Sequence, residues 1–515
     1  MTKARADHPV ANELFPSADW RYLLPDPAPA SVVVLANDDS DLSTVVHRLG
    51  TSDPPGRPDL DADGGWADLG VADRADPETI ERLHGLVRPG GTIYLEMAWP
   101  RTRSAAALAD RLTVAGLSDA VLYSLSPSRD RWSASWWIPL GHAEAVRFVV
   151  GRDEHRRRAG RPILARLRTG VGRVVSAAPV LARNHPWLLW PTRRRVLCAV
   201  AIKPGAVAEG APSARPGLVS SSMGASGNER TTVMRVGGSS TDQAMLFGFG
   251  DGPQPDLVIK APTRTEELAA SRHESEVLTF LTDRPDPMPG VPRAVSLDIH
   301  SSVAAWGQTF LPGPALAGVV SPTNLHRHAA DMTEWLIELA RRTETTGGDG
   351  IAADAVDRLE PLWHQLPDGA SLRGGVMARV AGFRRSISVC QHQDLGPWNT
   401  MVDGGVLGVI DWADAERSGT VLCDLHHFLA HLVLCAHDAY GLDRSPEVID
   451  RLVDPRSEVG GLVERSLARY ALAVGLDADE VRALRVLTWL LDLLRRPESE
   501  QADSLYLDLL RAEVR

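Results

Sequence analysis

The sequence predicts an α/β domain with a mostly parallel sheet, followed by an α+β part made of a small sheet-rich lobe and a larger helical lobe. The first 150 residues alternate short apolar runs with helical patterns. Three β-like runs and a helix then lie between residues 231 and 283, and helical patterns dominate from about residue 322 onward. A length of 515 residues allows two to four such domains.

The amino-terminal domain, residues 1–150, is predicted only from the alternation of apolar runs with helical patterns. The predicted strands are 31–36, 66–73, 92–98 and 120–125, and the predicted helices are 42–49, 77–87 and 104–116. Strands that alternate with helices join as β-α-β units, whose strands run in parallel. This order predicts the mostly parallel sheet.

A basic segment follows, with twelve arginines between Arg152 and Arg195 against only Asp153 and Glu154. Its apolar positions have helical spacing: Leu164, Leu167, Val171, Val174 and Leu181. We predict that residues 151–202 form a connecting segment that is partly helical. Such a helix could pack on the following lobes, rest on an anionic membrane surface, or bind an acidic peptide or partner protein.

Residues 203–230 are rich in Gly, Pro, Ala and Ser and are predicted to be a linker. The sheet-rich lobe, residues 231–313, carries predicted strands and a helix at 231–236, 244–249, 256–261, 264–283 and 303–311. The helical lobe, residues 314–515, includes strong helical patterns at 325–343 and 421–440. The order of the two lobes is that of kinases.

Composition limits the function classes. The formal net charge of -11 argues against nucleic acid as a partner. No apolar run approaches the roughly 20 residues that span a bilayer, and the first residues lack the apolar core of a signal peptide, so we expect a cytoplasmic location. The four cysteines form no CxxC pair, which gives no indication of structural zinc or a disulfide framework.

The residues that carry chemistry lie in HQDLGPWN, residues 392–399, and DWADAERSG, residues 411–419. Phosphoryl transfer needs a carboxylate that receives the acceptor hydroxyl, and oxygen ligands that hold magnesium against the nucleotide phosphates. Asp394 suits the first role. Asn399 and Asp411 suit the second, because a predicted hairpin between them returns Asp411 to the catalytic loop.

This pattern resembles the HxDxxxxN and IDW elements of the aminoglycoside phosphotransferases and choline kinases. The resemblance implies a two-lobed, protein-kinase-like fold that transfers the γ-phosphate of ATP to a hydroxyl group with Mg²⁺. By the same resemblance, Asp424 matches the aspartate of the family's next helix, and His392 braces the loop.

A second group of residues lies upstream. The chain has only three lysines, Lys3, Lys203 and Lys260, so a lysine is an informative choice. Lys260 ends the run DLVIK and resembles the family's strand lysine, which contacts nucleotide phosphates. Glu274 matches its glutamate partner best, and Glu276 is the alternative. A buried lysine needs such a partner because uncompensated burial of its charge costs several kcal/mol.

Two further segments are assigned to the nucleotide. Between the first two strands of this lobe, a Gly-Ser hairpin offers backbone N–H groups that could cover phosphates, namely Gly237, Gly238, Ser239 and Ser240. The segment GQTFLPG resembles the family's hinge, where Thr309 and Leu311 would offer backbone groups to adenine.

The sequence departs from the family at several positions. Gln393 stands where glycine is common, and the bulky Trp398 directly precedes Asn399; both changes are expected to alter the acceptor pocket. Asp414 and Glu416 lie where family members contact the acceptor, although acidic residues after a strand are usually only solvated. His427 and His431 have i, i+4 spacing, which suits either a metal or, more commonly, a packed helix face.

The amino-terminal run VRPGGTIYLEMA resembles part of a class I SAM-dependent methyltransferase. A methyltransferase needs a glycine-rich turn after its first strand, so that the backbone can approach the cofactor. Here that turn is NDDSDLS. We therefore expect a truncated, degenerate, non-catalytic domain with a scaffolding or partner-binding role; the alternative is a bifunctional enzyme.

The acceptor stays open. A small molecule such as a sugar, an amino alcohol or an antibiotic is favoured, because no protein-kinase activation segment is visible after Asp411. The alternatives are a Ser/Thr kinase of a peptide in natural-product maturation and a pseudokinase that acts as a binding module. The joint presence of Lys260, Asp394, Asn399 and Asp411 disfavours the latter.

Overall fold

The computed structural model describes most of the chain, and the described residues are 20–25, 29–36, 42, 65–98, 105–126, 135–149, 196–205, 231–236, 243–262, 267–296, 305–346, 351–381, 383, 387–439 and 446–515. The turn at 37–41, most of the basic segment, most of the 203–230 linker and the Gly-Ser hairpin lie outside them. The chain forms two compact units, Met1–Ser275 with Ala294–Phe310, and Glu276–Arg293 with Leu311–Arg515.

The first unit is built on one eleven-stranded sheet. Its strands in chain order are β1 Val32–Leu35, β2 Ala67–Ala72, β3 Val87–Ala98, β4 Val121–Ser126, β5 Ser135–Pro139, β6 Val196–Ile202, β7 Thr231–Val236, β8 Gln243–Phe249, β9 Leu257–Pro262, β10 Ala294–Val295 and β11 Trp306–Thr309. Their order in space is β1-β2-β3-β6-β4-β5-β7-β8-β9-β11-β10. Strands of the predicted amino-terminal domain and of the predicted sheet-rich lobe therefore belong to a single sheet.

At the amino-terminal end the sheet is mixed. The pairs β1–β2 and β2–β3 are parallel, and helix α1 (Pro77–Leu86) connects β2 to β3. Asp76 caps α1 by accepting a 2.9 Å hydrogen bond from the Thr79 N–H, with proline in the first turn. Helix α2 (Ala105–Val114) connects β3 to β4. The pairs from β3 onward are antiparallel, so the resemblance of this part to a methyltransferase is not confirmed.

Strand β6 corrects the prediction for the end of the connecting segment, whereas the predicted helical positions from Leu164 to Leu181 lie outside the described residues. The last seven residues of that segment are not a helical connection but a buried strand, which pairs antiparallel with β3 on one side and β4 on the other. The run VLCAVAI is apolar throughout because both faces of a central strand are covered.

One hydrophobic core extends across the sheet of the first unit. It runs from Trp20, which stacks on Tyr94 with ring centroids 4.2 Å apart, to Ile259 and Ala261 on β9. The antiparallel pair β5–β7 joins the amino-terminal strands to β7, β8 and β9, so the sheet is continuous between them. A second cluster lies around Phe148, whose ring packs against those of Phe247, Phe249 and Phe310.

The second unit is mainly helical. Its helices are α3 Glu267–Thr282, which begins in the first unit, α4 Leu325–Thr343, α5 Ile351–Arg358, α6 Glu360–Gln365, α7 Gly369–Val380, α8 Cys423–Ala436, α9 Pro446–Val453, α10 Glu458–Val474, α11 Ala478–Leu494, α12 Glu498–Gln501 and α13 Leu505–Val514. Its strands are β12 Thr345–Thr346, β13 Ile387–Gln391, β14 Thr400–Asp403, β15 Val406–Val409 and β16 Glu416–Thr420. The predicted helix at 325–343 is confirmed as α4.

Helix α8 lies at the centre of this unit. Nearly all of its side chains are buried, and α4, α10 and α11 pack around it. A helix whose side chains are buried on every side needs such a position. Among its neighbours, α10 ends at Gly475 (φ +77°) and α11 begins with a capping box formed by Asp477 and Glu480.

Two predictions from composition concern membrane-spanning helices and the cysteines. No helix among the described residues is long and apolar enough to cross a membrane. All four cysteines are free thiols, and burial raises the pKa of Cys390 and of Cys423 to about 12.

Candidate active site

The predicted catalytic loop connects β13 to β14, and β14 pairs with β15 in a tight antiparallel hairpin. After the hairpin, the Ile410 N–H donates a 2.9 Å hydrogen bond to the Asn399 carbonyl oxygen. This bond brings the residue after Ile410, Asp411, back to the end of the loop. The hairpin geometry therefore places Asn399 and Asp411 at neighbouring positions.

Asp394 and Asn399 are in direct contact. Asn399 Nδ2 donates to Asp394 Oδ2 at 2.9 Å and to the Asp394 carbonyl oxygen at 3.0 Å. Trp398 Nε1 donates to the same Oδ2 at 3.3 Å. Both side-chain donors bind Oδ2 rather than Oδ1. Because Asn399 uses its nitrogen on Asp394, its amide oxygen is the atom that can serve as a ligand.

Asp424, the second residue of α8, holds the start of the loop. Its Oδ2 accepts from the His392 N–H at 2.6 Å, and its Oδ1 accepts from the Gln393 N–H at 3.0 Å. Burial raises the pKa of this carboxyl group, although His392 and the two N–H donors oppose the rise. The His392 Nε2 lies 3.0 Å from the Ile410 carbonyl oxygen, so this ring connects the loop to the end of the hairpin.

Two non-glycine residues of the loop and hairpin adopt left-handed backbone conformations, Gln393 (φ +69°) and Asp411 (φ +68°). Such a residue costs roughly 1–2 kcal/mol, so the surrounding structure must hold it in place. Glycine at position 393 would carry no such cost.

In the first unit, Lys260 and Glu274 form a buried ion pair. Lys260 Nζ lies 2.7 Å from both carboxylate oxygens of Glu274, and the two residues are 7% and 3% exposed. The alternative partner, Glu276, is an exposed residue whose carboxylate lies 3.7 Å from Arg417. Glu274 is therefore the glutamate that pairs with the strand lysine.

Comparison with known proteins gives one family match. Residues 232–452, less than half of the chain, match the family described as "Phosphotransferase enzyme family". This segment contains Lys260, Glu274, Asp394, Asn399 and Asp411. The carboxy-terminal part of the chain carries a domain of this family. The protein is thus an enzyme of the kinase type.

Several solved structures match this chain over about half of its length. An aminoglycoside phosphotransferase, APH(3'')-Id of Streptomyces rimosus, is 18% identical over 52% of this chain and 93% of its own, with a TM-score of 0.30. A choline/ethanolamine kinase family protein from Mesorhizobium loti is 14% identical over 56% of this chain and 92% of its own, with a TM-score of 0.26. No curated protein matches the chain.

Other predicted site residues of the phosphotransferase domain are placed as follows. Thr309 is the last residue of β11, and the boundary between the compact units falls between Phe310 and Leu311. Asp414 and Glu416 are exposed. The predicted phosphate-covering residues Gly238, Ser239 and Ser240 lie outside the described residues.

The histidines of α8 are packed rather than arranged as a metal site. His427 and His431 are 5% and 1% exposed, and the ring of Trp398 lies edge-on to both, with centroids 6.2 and 5.0 Å away. Burial lowers the pKa of His431 well below its ordinary value. Within the described ranges, no group of three His, Cys, Asp or Glu side chains could hold a metal ion.

Two charged residues near the loop were not predicted from the sequence. Arg495 donates to the Gln393 carbonyl oxygen, and Asp492 lies 3.0 Å from the Arg495 guanidinium. Both come from the end of α11, about a hundred residues after the loop, and neither belongs to a local motif. The only local signal was an arginine pair, Arg495 and Arg496, that directly follows the apolar last turns of α11.

Proposed function

We propose that the protein is a Mg²⁺-dependent phosphotransferase that moves the γ-phosphate of ATP to a hydroxyl group of a small molecule. The observation that carries this proposal is the arrangement of the loop: Asp394 bonded to Asn399, with Asp411 returned beside Asn399 by the β14–β15 hairpin. A carboxylate next to two oxygen ligands is the arrangement that phosphoryl transfer requires.

Asn399 and Asp411 fit a magnesium ion. Mg²⁺ prefers hard oxygen ligands, and in nucleotide sites it takes only one or two from the protein and the rest from phosphates and water. The Asn399 amide oxygen and the Asp411 carboxylate supply that number from neighbouring positions. The chemistry that the ion supplies when bound is neutralisation of the phosphate oxygens.

Asp394 has the role of orienting the acceptor. The donors Asn399 and Trp398 fix its Oδ2, so that the carboxylate cannot rotate freely and Oδ1 can receive the hydrogen bond of the attacking hydroxyl. The hydroxyl proton passes to this carboxylate as the oxygen attacks the γ-phosphorus, the bond from that phosphorus to the bridging oxygen breaks, and ADP leaves. A positioned base of this kind contributes about 10²- to 10⁴-fold to a rate.

On the nucleotide side, Lys260 is assigned to the phosphates. Its ammonium group is held by both oxygens of Glu274, so it keeps its charge and a fixed position in a buried environment. Thr309 and Leu311 are assigned to adenine through their backbone groups. Gly238, Ser239 and Ser240 are assigned to the phosphates.

A small-molecule acceptor is favoured over a peptide by one feature of the chain. Only residues 412–422 separate Asp411 from the start of α8, and β16 occupies five of them. This leaves little chain for a loop that would present a peptide substrate. For the amino-terminal residues, we propose a scaffolding role within the sheet rather than methyl transfer.

The test is an assay of ATP consumption with a panel of hydroxyl compounds, comprising sugars, amino alcohols, aminoglycosides and Ser/Thr peptides, read by a gain of phosphate mass on the acceptor. We expect transfer to a small molecule that requires Mg²⁺ and is lost in Asp394→Asn. Phosphorylation of peptides alone would replace the small-molecule assignment. ATP binding without any transfer would indicate a pseudokinase.

A further inference from the structure

A group of charged side chains lies behind the catalytic loop, and it joins α8 to the end of α11. Asp492 uses its two carboxylate oxygens on different partners. Its Oδ2 lies 2.8 Å from His427 Nδ1, and its Oδ1 lies 3.0 Å from Arg495 Nη1. The Asp492 and His427 side chains are each 6% exposed, whereas that of Arg495 is 33% exposed.

One end of this group reaches the backbone of the loop. Arg495 Nη1 donates to the carbonyl oxygen of Gln393, the left-handed residue that directly precedes Asp394. The N–H of Gln393 is already bonded to Asp424. Both polar backbone groups of Gln393 are thus held by charged side chains, one from the start of α8 and the other from the end of α11. Such a clamp fixes a strained residue in one conformation.

The other end of the group reaches the Asp394 side chain. The His427 ring lies against the edge of Trp398, and the indole N–H of Trp398 donates to Asp394 Oδ2. The groups that face His427 are Asp492 and Arg495 from the end of α11, Asp394 from the loop, His431 from α8 and Tyr506 from α13. Burial alone would lower the pKa of His427, but Asp492 and then Asp394 reverse this effect and raise it.

We propose, resting on the proposed phosphotransferase function, that Asp492, His427 and Arg495 form a positioning group that sets the geometry of Asp394 in the catalytic loop. Asp492 is its central residue because it alone contacts both of the others. Asp492 and Arg495 lie beyond residue 452, where the family match ends.

The chain offers a matched control on the same helices. His426 of α8 lies 3.2 Å from Glu513 of α13, and Glu513 is bound by Arg485 of α11 at 3.0 and 3.1 Å. The Glu513 side chain, 8% exposed, is about as buried as that of Asp492, but its partners His426 and Arg485 belong to helices rather than to the catalytic loop. Asp492→Asn and Glu513→Gln therefore remove comparable buried charges, and only the first should disturb Asp394.

The first experiment measures turnover with the acceptor identified by the panel, or ATP hydrolysis where water is the acceptor. Asp492→Asn and Arg495→Ala are expected to lower kcat by about 10- to 100-fold with little change in KM for ATP, the size of effect that a misplaced catalytic group produces. The Arg495 side chain is 33% exposed. Arg495→Ala therefore tests the positioning group even if Asp492→Asn folds poorly. Glu513→Gln should lower the melting temperature without this loss of kcat.

The second experiment does not depend on activity. Hydrogen exchange of peptides that cover residues 391–400 should become faster in Asp492→Asn and in Arg495→Ala than in the wild type and in Glu513→Gln. If the wild type transfers no phosphate but the exchange difference is present, the proposed function fails and the positioning of the loop stands. Unchanged kcat and unchanged exchange in folded Asp492→Asn and Arg495→Ala, or equal losses in Glu513→Gln, would overturn the inference.

Discussion

The hydroxyl of Tyr22 donates a 2.8 Å hydrogen bond to the carbonyl oxygen of Pro262, the last residue of β9. Two residues before Pro262 on the same strand stands Lys260. Tyr22 is 2% exposed and belongs to the core that extends from the first strands of the sheet to β9. A segment near the amino terminus thus contributes directly to the strand that carries the lysine assigned to ATP.

The first prediction concerns this bond. Tyr22→Phe leaves a buried carbonyl without its donor, which should lower the free energy of unfolding by about 1–3 kcal/mol. The lost hydrogen bond lies on β9 only two residues from Lys260, so the Kd for ATP should rise as well. Calorimetric titration can measure this rise. The control is Tyr94→Phe, which removes a tyrosine hydroxyl bonded to Glu96 in the same core. Equal ATP affinities for the wild type and Tyr22→Phe would contradict the coupling.

Local patterns predicted several elements of the first unit, but not β5, β6 or the arrangement of the strands. The run TTVMRV was predicted as a strand and is β7, yet its pairing with β5 could not be foreseen, because strand partners from distant segments leave no local signal. Val196–Ile202 was missed for a different reason. It directly follows the basic segment and was grouped with it, although its uninterrupted apolar run indicated a buried strand.

The second prediction concerns the ion pair of Lys260 and Glu274. Glu274→Gln leaves a buried ammonium group without its counter-charge, a change that costs about 3–5 kcal/mol in other proteins. We expect a lower melting temperature and a Kd for ATP raised at least about tenfold. The matched control is Glu276→Gln on the exposed side of the same helix, which should change neither quantity. A normal ATP affinity for Glu274→Gln would remove this pair from the nucleotide site.

The third prediction is that Asp394→Asn lowers phosphoryl transfer by at least about 100-fold while the protein stays folded and binds ATP. The amide keeps the shape of the carboxylate but cannot accept the hydroxyl proton. Asp403→Asn, at the exposed end of β14 in the neighbouring hairpin, is the control and should retain full turnover. Near-normal turnover by a folded Asp394→Asn variant would exclude this residue from the mechanism.

The fourth prediction concerns the metal. Asn399→Ala and Asp411→Ala should each raise the Mg²⁺ concentration needed for half-maximal activity, because each removes one oxygen ligand from the same ion. The double variant should lose less than the sum of the two losses in free energy, since both changes disturb one site. An unchanged Mg²⁺ dependence in either single variant would make that assignment wrong.

The candidate site could be predicted where its residues are close in sequence. Asp394 and Asn399 share one loop, and a single hairpin separates them from Asp411, so spacing alone carried the information. Asp492 and Arg495 reach the loop only through the packing of α11 against α8. No sequence pattern connects these two residues with Gln393, so the group behind the loop becomes visible only in three dimensions.

The last prediction concerns stability in acid and Glu513. This carboxylate is buried, and although burial would raise its pKa, the hydrogen bonds and charges of His426 and Arg485 lower it to about 2, from an ordinary value of 4.5. A depressed pKa in the folded state stabilises the protein above the unfolded value, and this contribution is lost as pH falls from about 4.5 toward 2. A shift of this size corresponds to on the order of 3 kcal/mol. Chemical unfolding at several pH values gives the free energy of unfolding of the wild type and of Glu513→Gln. The two values should differ by an amount of that order at pH 7, and the difference should narrow below about pH 4.5. A difference that stays constant down to pH 3 would show that the charge of Glu513 contributes nothing to stability and that its side chain acts by packing alone.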